Sequence, residues 1–199
     1  MKKKGFIGPL IIGVILVGIG VAGMLFVFNG QRILQLTSKG STLTASEVEK
    51  LYSFPSTGVK VDKIANTIEF YSPRVFIPVI ASPENGTMYS FGVYGLVNPT
   101  IIVPKGAKVT IQLVNMDDDM YHALMITAVS PPYPYMGTMM FNRPAFLNAY
   151  IPPLPEEKDA EYSQLSTTFI ASTAGTFYYI CQVMGHASKG MYEKFIVKN

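Results

Sequence analysis

Three residue types able to bind a soft metal fall close together near the C-terminal end of the chain. Cys181, His186 and Met191 stand at the spacing C-x4-H-x4-M within Phe177-Tyr178-Tyr179-Ile180-Cys181-Gln182-Val183-Met184-Gly185-His186-Ala187-Ser188-Lys189-Gly190-Met191. The chain holds one cysteine and two histidines, the second being His122. One thiolate, two imidazoles and a thioether form a set that suits copper in both oxidation states: sulfur favours Cu(I), and imidazole also accepts Cu(II). A site tolerated by both states moves single electrons with little rearrangement. Mg and Ca want oxygen ligands. Structural Zn takes four Cys/His donors and leaves no place for methionine.

The same counts bear on other chemistries. Two histidines are too few for a multicopper oxidase, and one cysteine cannot build a binuclear copper centre or an internal disulfide. A mononuclear copper enzyme with an open position survives only if Met191 is not a ligand. A copper-handling surface protein also remains, as does a cysteine nucleophile paired with His122 or His186, although no protease signature surrounds Cys181. Met191 competes with Met184 in the same loop and with Met120 beside His122; the glycine before Met191 and the loop register favour Met191. Asp117-Asp118-Asp119 reads as a solvated loop, since three consecutive carboxylates cannot converge on one ion. Tyr133 to Phe141, rich in Tyr and Met, reads equally as a copper cover and as an apolar docking face.

Short strands must deliver these ligands. Alternation puts Phe177, Tyr179 and Cys181 on one face of a strand over Thr176–Gln182, and Gly185 and Gly190 let the following loop fold back. His122 opens another strand, to Thr127. Further strands are expected at Thr67–Tyr71, Arg74–Ile80, Met88–Tyr94, Thr100–Val103, Val109–Leu113, Thr167–Ala171 and Met191–Val197. Many short strands broken by Gly and Pro argue for an all-β sandwich or barrel beginning near residue 60. Within it, residues 131–163 contain Pro131, Pro132, Pro134, Pro144, Pro152, Pro153 and Pro155 and read as a long ordered loop or insertion. Residues 29–59 read as a polar linker followed by a short helix, opened by a capping box at Thr44-x-x-Glu47 and running to about Tyr52. Asn85-Gly86-Thr87 is a glycosylation sequon.

At the other end, Phe6 to Phe28 is a run of 23 residues without a charge. As a helix it spans about 34 Å, enough for a hydrocarbon core of about 30 Å. It is longer than a signal-peptide core, which favours retention as an anchor (residues 1–28) over cleavage. Lys2, Lys3 and Lys4 precede it and no cation directly follows, which puts the N-terminus in the cytoplasm and the rest of the chain outside, on a single-pass cell-membrane protein. The three lysines supply the whole formal charge of +3; from residue 29 onward, thirteen Lys+Arg balance thirteen Asp+Glu. Hydrophobic residues at 49% and charged ones at 15% exclude a disordered chain. No basic patch marks a nucleic-acid binder.

The stretch Gly175-Thr176-Phe177-Tyr178-Tyr179-Ile180-Cys181…Gly185-His186…Gly190-Met191 resembles the copper loop of cupredoxins. Asn98 to Asn115, followed by His122, resembles the strand pair that carries their first histidine. The C-x4-H-x4-M spacing looks like the rusticyanin and sulfocyanin branch rather than the shorter loop of plastocyanin. With an N-terminal anchor and Gly185-His186-Ala187-Ser188, the best match is the sulfocyanin family of archaeal membrane-anchored blue copper proteins. The resemblance covers roughly residues 95–128 and 165–199. It implies a Greek-key β-sandwich and one type 1 copper cycling Cu(II)/Cu(I), held by His122, Cys181 and His186 with axial Met191. It also implies no enzymatic activity and a role shuttling electrons in a respiratory chain, with a quinol-oxidising complex or a terminal oxidase as partner. His186 is then the expected electron port and His122 the inner ligand.

Overall fold

Alternation of apolar and polar residues governs the architecture. In Lys108-Val109-Thr110-Ile111-Gln112-Leu113, the apolar members are buried and the polar ones face out, the period of a half-buried strand. A computed structural model describes residues 41–199 apart from 54, 56 and 137–142. The apolar run Phe6–Phe28, the linker residues 29–40 and the Met-rich end of the Tyr133–Phe141 run lie outside the described residues. Among the described residues, no helix is long and apolar enough to cross a membrane.

The strands are β1 (Ser41–Thr44), β2 (Val59–Asp62), β3 (Thr67–Phe70), β4 (Arg74–Ala81), β5 (Phe91–Val93), β6 (Leu96–Val97), β7 (Thr100–Pro104), β8 (Lys108–Asn115), β9 (His122–Thr127), β10 (Tyr150–Leu154), β11 (Glu161–Ile170), β12 (Gly175–Ile180) and β13 (Tyr192–Lys198). Among the described residues, one helix, α1 (Ala45–Leu51), and a 3-10 turn at Ala187–Lys189 complete the set. The strands form a six-stranded sheet, β1-β11-β8-β4-β5-β6, and a seven-stranded sheet, β10-β9-β12-β13-β7-β3-β2. Most pairings are antiparallel; β4–β8, β7–β13 and β3–β7 are parallel. Val75, Ile77, Val79, Val109, Ile111 and Leu113 of one sheet share a buried cluster with Leu124, Ile126, Tyr179, Phe195 and Val197 of the other. Burying each such side chain contributes about 1.5–3 kcal/mol. This is the all-β sandwich expected from the strand spacing.

Two boundaries differ from the reading by composition. Residues 41–59 belong to the folded unit, which begins at Ser41. β1 is hydrogen-bonded to β11, and Val48 of α1 packs with Ile80 and Val114. The capping box expected at Thr44 forms, with the Thr44 N–H donating to the Glu47 carboxylate at 2.8 Å, and it opens the short helix read from the sequence; what differs is that this helix is packed into the domain. The proline-rich stretch 131–163 is likewise not all loop. Tyr150-Ile151-Pro152-Pro153-Leu154 pairs with β9, with an irregular register between Ile151 and Leu154. β10 is the last strand of its sheet, where missing N–H donors cost no ladder bond. β11 begins at Glu161, six residues before the expected start at Thr167, because its exposed face is polar and shows no hydrophobic period there.

Candidate metal centre

Three segments deliver donors to one end of the sandwich. β12 ends at Ile180, and the Cys181 N–H donates to the Met191 carbonyl at 3.0 Å, closing the ligand loop across the β12–β13 hairpin. His186 precedes the 3-10 turn, and its carbonyl accepts the Met191 N–H at 3.1 Å. His122 is the first residue of β9. Gly185 and Gly190 both have positive φ, +82° and +103°, where a side chain is strained. Gly185 is needed for a second reason. A Cβ there would stand 2.5 Å from the Tyr135 ring, and the Gly185 N–H donates to the Tyr135 carbonyl at 3.0 Å. The proline-rich segment therefore clasps the ligand loop. Tyr133 adds an edge-on contact to Tyr192 at 5.0 Å, while Tyr135 and Met136 stay exposed.

The donor atoms form a small triangle. Cys181 Sγ lies 3.8 Å from His122 Nδ1 and 3.5 Å from His186 Nδ1, and the two Nδ1 atoms are 3.2 Å apart. A circle through three atoms at these separations has a radius of about 2.0 Å, close to the roughly 2.0–2.3 Å that first-row metals keep from nitrogen and sulfur donors. The triangle thus fits one ion in a trigonal plane. Met191 is fully buried in the same cluster as Cys181, whereas Met184 is 47% exposed; the loop's buried thioether is Met191.

Burial tunes the donors. It pushes the Cys181 thiol up to about 12, against the pull of the Ala123 and Val183 N–H groups. It also pulls His186 down to about 4, helped by the neighbouring His122 and Lys189. His122 is lowered by burial too, and Asp117 opposes the shift. Both imidazoles are therefore held neutral with lone pairs available, and the thiol parts with its proton when a cation takes its place.

Asp117 is the residue that the sequence reading misjudged. It is 4% exposed, not solvated. Its Oδ2 stands 3.0 Å from His122 Nε2, while Oδ1 accepts the N–H groups of Asp119 and Met120 at 3.1 and 3.0 Å. Burial works to raise its pKa, but the bonds from His122 and Asp119 outweigh it and leave the carboxyl below its usual range. A carboxylate on Nε2 keeps the proton on that nitrogen and turns Nδ1 toward the triangle. Asn115 supports the arrangement from the end of β8: its amide donates to the carbonyls of Met120 and Pro155, both at 2.9 Å, and its Oδ1 accepts the Asp117 N–H. No local pattern in the sequence shows that the carboxylate reaches a histidine five residues on.

His122 is fully buried and His186 is 5% exposed. Tyr89 meets the His186 ring edge-on at 5.2 Å, and Lys189 Nζ donates to the Tyr89 hydroxyl at 2.7 Å.

No protein-family model matches the chain. Rusticyanin of Acidithiobacillus ferrooxidans is 32% identical over 133 residues, covering 67% of this chain and 82% of that protein. Rusticyanin of Acidithiobacillus ferridurans is 34% identical over 137 residues, covering 68% and 70%. The solved structure of rusticyanin from Thiobacillus ferrooxidans superposes with a TM-score of 0.69 at 30% identity, over 79% of this chain and 96% of that one. A reduced rusticyanin gives 0.70 at 29%, over 79% and 99%. With that shared fold and a buried His2Cys triangle sized for one ion, the chain belongs to the rusticyanin family of blue copper electron-transfer proteins, and its centre is a type 1 copper site rather than an enzyme active site.

Proposed function

We propose that this protein is a membrane-anchored, outward-facing carrier of single electrons, arranged like a sulfocyanin, that works in a respiratory chain and delivers to a terminal oxidase or accepts from a quinol-oxidising complex. His122, Cys181, His186 and Met191 would hold one copper, which would supply the one-electron couple. The donor triangle carries the reading. Asp117 fixes His122 before any ion arrives. The Ala123 N–H, 3.4 Å from Sγ, stabilises charge on the sulfur. The closed hairpin and the Tyr135 clasp keep water from the donors and hold them in place, so little has to move when the charge changes. His186 has the edge nearest solvent and is the exit for the electron. The uncharged run Phe6–Phe28 behind Lys2-Lys3-Lys4 supports the anchor and its orientation.

The full chain, expressed in membranes and loaded with copper, tests this. An intense blue thiolate-to-copper band, a narrow copper hyperfine pattern in electron paramagnetic resonance and reversible one-electron titration are expected. A colourless copper form or a broad tetragonal spectrum would defeat the copper assignment. Release of the chain from membranes by alkaline washing would defeat the anchor.

A further inference from the structure

At the pole of the sandwich remote from the donors, three strands align two rows of side chains. Register places Arg74 of β4 beside Lys108 of β8, and Lys108 beside Ile170 of β11. The next outward row is Phe76, Thr110 and Thr168. Phe76 is 45% exposed and Ile170 50%. Lys105 projects from the adjoining turn, whose Gly106 N–H donates to the Ala171 carbonyl. The ion pairs among the described residues, His122–Asp117 and Lys198–Glu69, leave Arg74, Lys105 and Lys108 without a carboxylate partner. Glu69, the acid on this side, is taken by Lys198.

The opposite pole is acidic on balance, its carboxylates outnumbering the exposed Lys158 and Lys189. Asp118 and Asp119 are exposed beside the His122 strand. The loop bearing Glu156, Glu157 and Asp159 is tied to it by the Glu157 N–H, which donates to the Asp117 carbonyl at 2.7 Å. β8 joins the poles: Lys108 starts it and Asn115 ends it, seven residue steps or roughly 23 Å of strand apart. β1 also points the same way. Its register runs from Thr44 on Glu161 back to Ser41 on Gln164, so toward its N-terminus the strand advances along β11 in the direction of Ile170.

We propose that the pole formed by Arg74, Lys105, Lys108, Phe76 and Ile170 rests on an anionic lipid surface and turns the copper end away from the bilayer. The inference rests on the membrane-anchored reading and adds the face on which the domain lies. Unpaired cations are attracted to anionic headgroups, and exposed Phe and Ile side chains enter the interface. The acidic pole is repelled from the same surface. The copper partner is then met away from the membrane plane.

Residues 41–199 form a compact unit with their own core, so the pole is testable without the preceding residues. The copper-loaded domain is sedimented with vesicles of phosphatidylcholine alone or mixed with phosphatidylglycerol. It should bind the anionic vesicles, release in high salt and ignore the neutral ones. Each lost cation should reduce partition about five-fold, so Arg74→Gln with Lys108→Gln should weaken binding roughly 25-fold while leaving the blue band unchanged as a check on folding. Phe76→Ser should weaken it further. Equal binding to both vesicle types, no binding to either, or no effect of the double variant would overturn the proposal. A pole that ignores lipid but is required for reaction with an acidic protein would do the same. Because the assay lacks residues 1–40, failure of the anchor does not mimic failure of the pole.

Discussion

Asp117→Asn isolates what a single carboxylate does for the metal centre. The amide oxygen can still accept the Asp119 and Met120 N–H groups that Oδ1 accepts in the wild type, at 3.1 and 3.0 Å, so the loop should keep its turn. The other end changes sign. His122 must present the Nδ1 lone pair to the triangle and so carries its proton on Nε2, 3.0 Å from Oδ2; an amide NH2 there sets donor against donor. A charge-assisted bond of about 1.5–3 kcal/mol is lost. Copper affinity should drop about 10–100-fold, as when other second-sphere partners are removed. The potential should also move. The carboxylate sits one hydrogen bond and one imidazole ring from the triangle, roughly 7 Å, where a unit charge at an effective dielectric of about 20 acts with about 2 kcal/mol. That charge favours Cu(II) over Cu(I). Its removal should raise the reduction potential by on the order of 100 mV, taking 59 mV for each tenfold in a one-electron couple. Redox titration of the Asn variant, with competitive chelation for affinity, checks both. An unchanged or lowered potential would refute the electrostatic argument, and unchanged affinity would refute the positioning one.

Met191→Leu should keep the blue band, since the three donors of the plane are untouched, and should raise the potential by losing a donor to Cu(II); loss of colour in the visible spectrum would show that Met191 does more than tune. Gly185→Ala adds a Cβ 2.5 Å from the Tyr135 ring at φ +82° and should cost about 1–3 kcal/mol, read as a lower unfolding midpoint of the metal-free protein. Copper uptake should depend on pH with a definite sign. With the Cys181 thiol near 12, one proton leaves per ion bound, so apparent affinity should rise tenfold per pH unit; below about 4, where His186 also protonates, the slope should approach two decades. Chelator competition across pH measures this, and a flat profile would contradict the buried-thiol picture.

The ligands were readable because their spacing is local: Cys181, His186 and Met191 lie on one hairpin whose two strands pair across the loop. Most strands could be read for a similar reason, with one buried face leaving a period of two, as in β8. What escaped depends on contacts between distant segments. Asp117 looked like any loop aspartate because nothing local shows that it folds inward onto His122. β10 was hidden by its two prolines, which only an outermost strand accepts. Tyr89 comes from 97 residues before His186, and no pattern in the chain joins them. The start of the domain was obscured because β1 is short and polar, and because nothing local shows that the expected helix α1 packs Val48 against the sandwich.

Complete burial of the lone thiol has a consequence for the life of the protein before metal arrives. Oxidative damage to cysteine follows thiolate character and access. Cys181 has neither, being fully buried, with its proton held up to about 12. A folded, copper-free molecule can therefore persist among oxidants without turning its sulfur into a sulfenic acid or a disulfide-linked dimer. Folding and metal delivery need not be synchronised: maturation can wait for scarce copper, and a molecule that loses its ion remains fit to be reloaded.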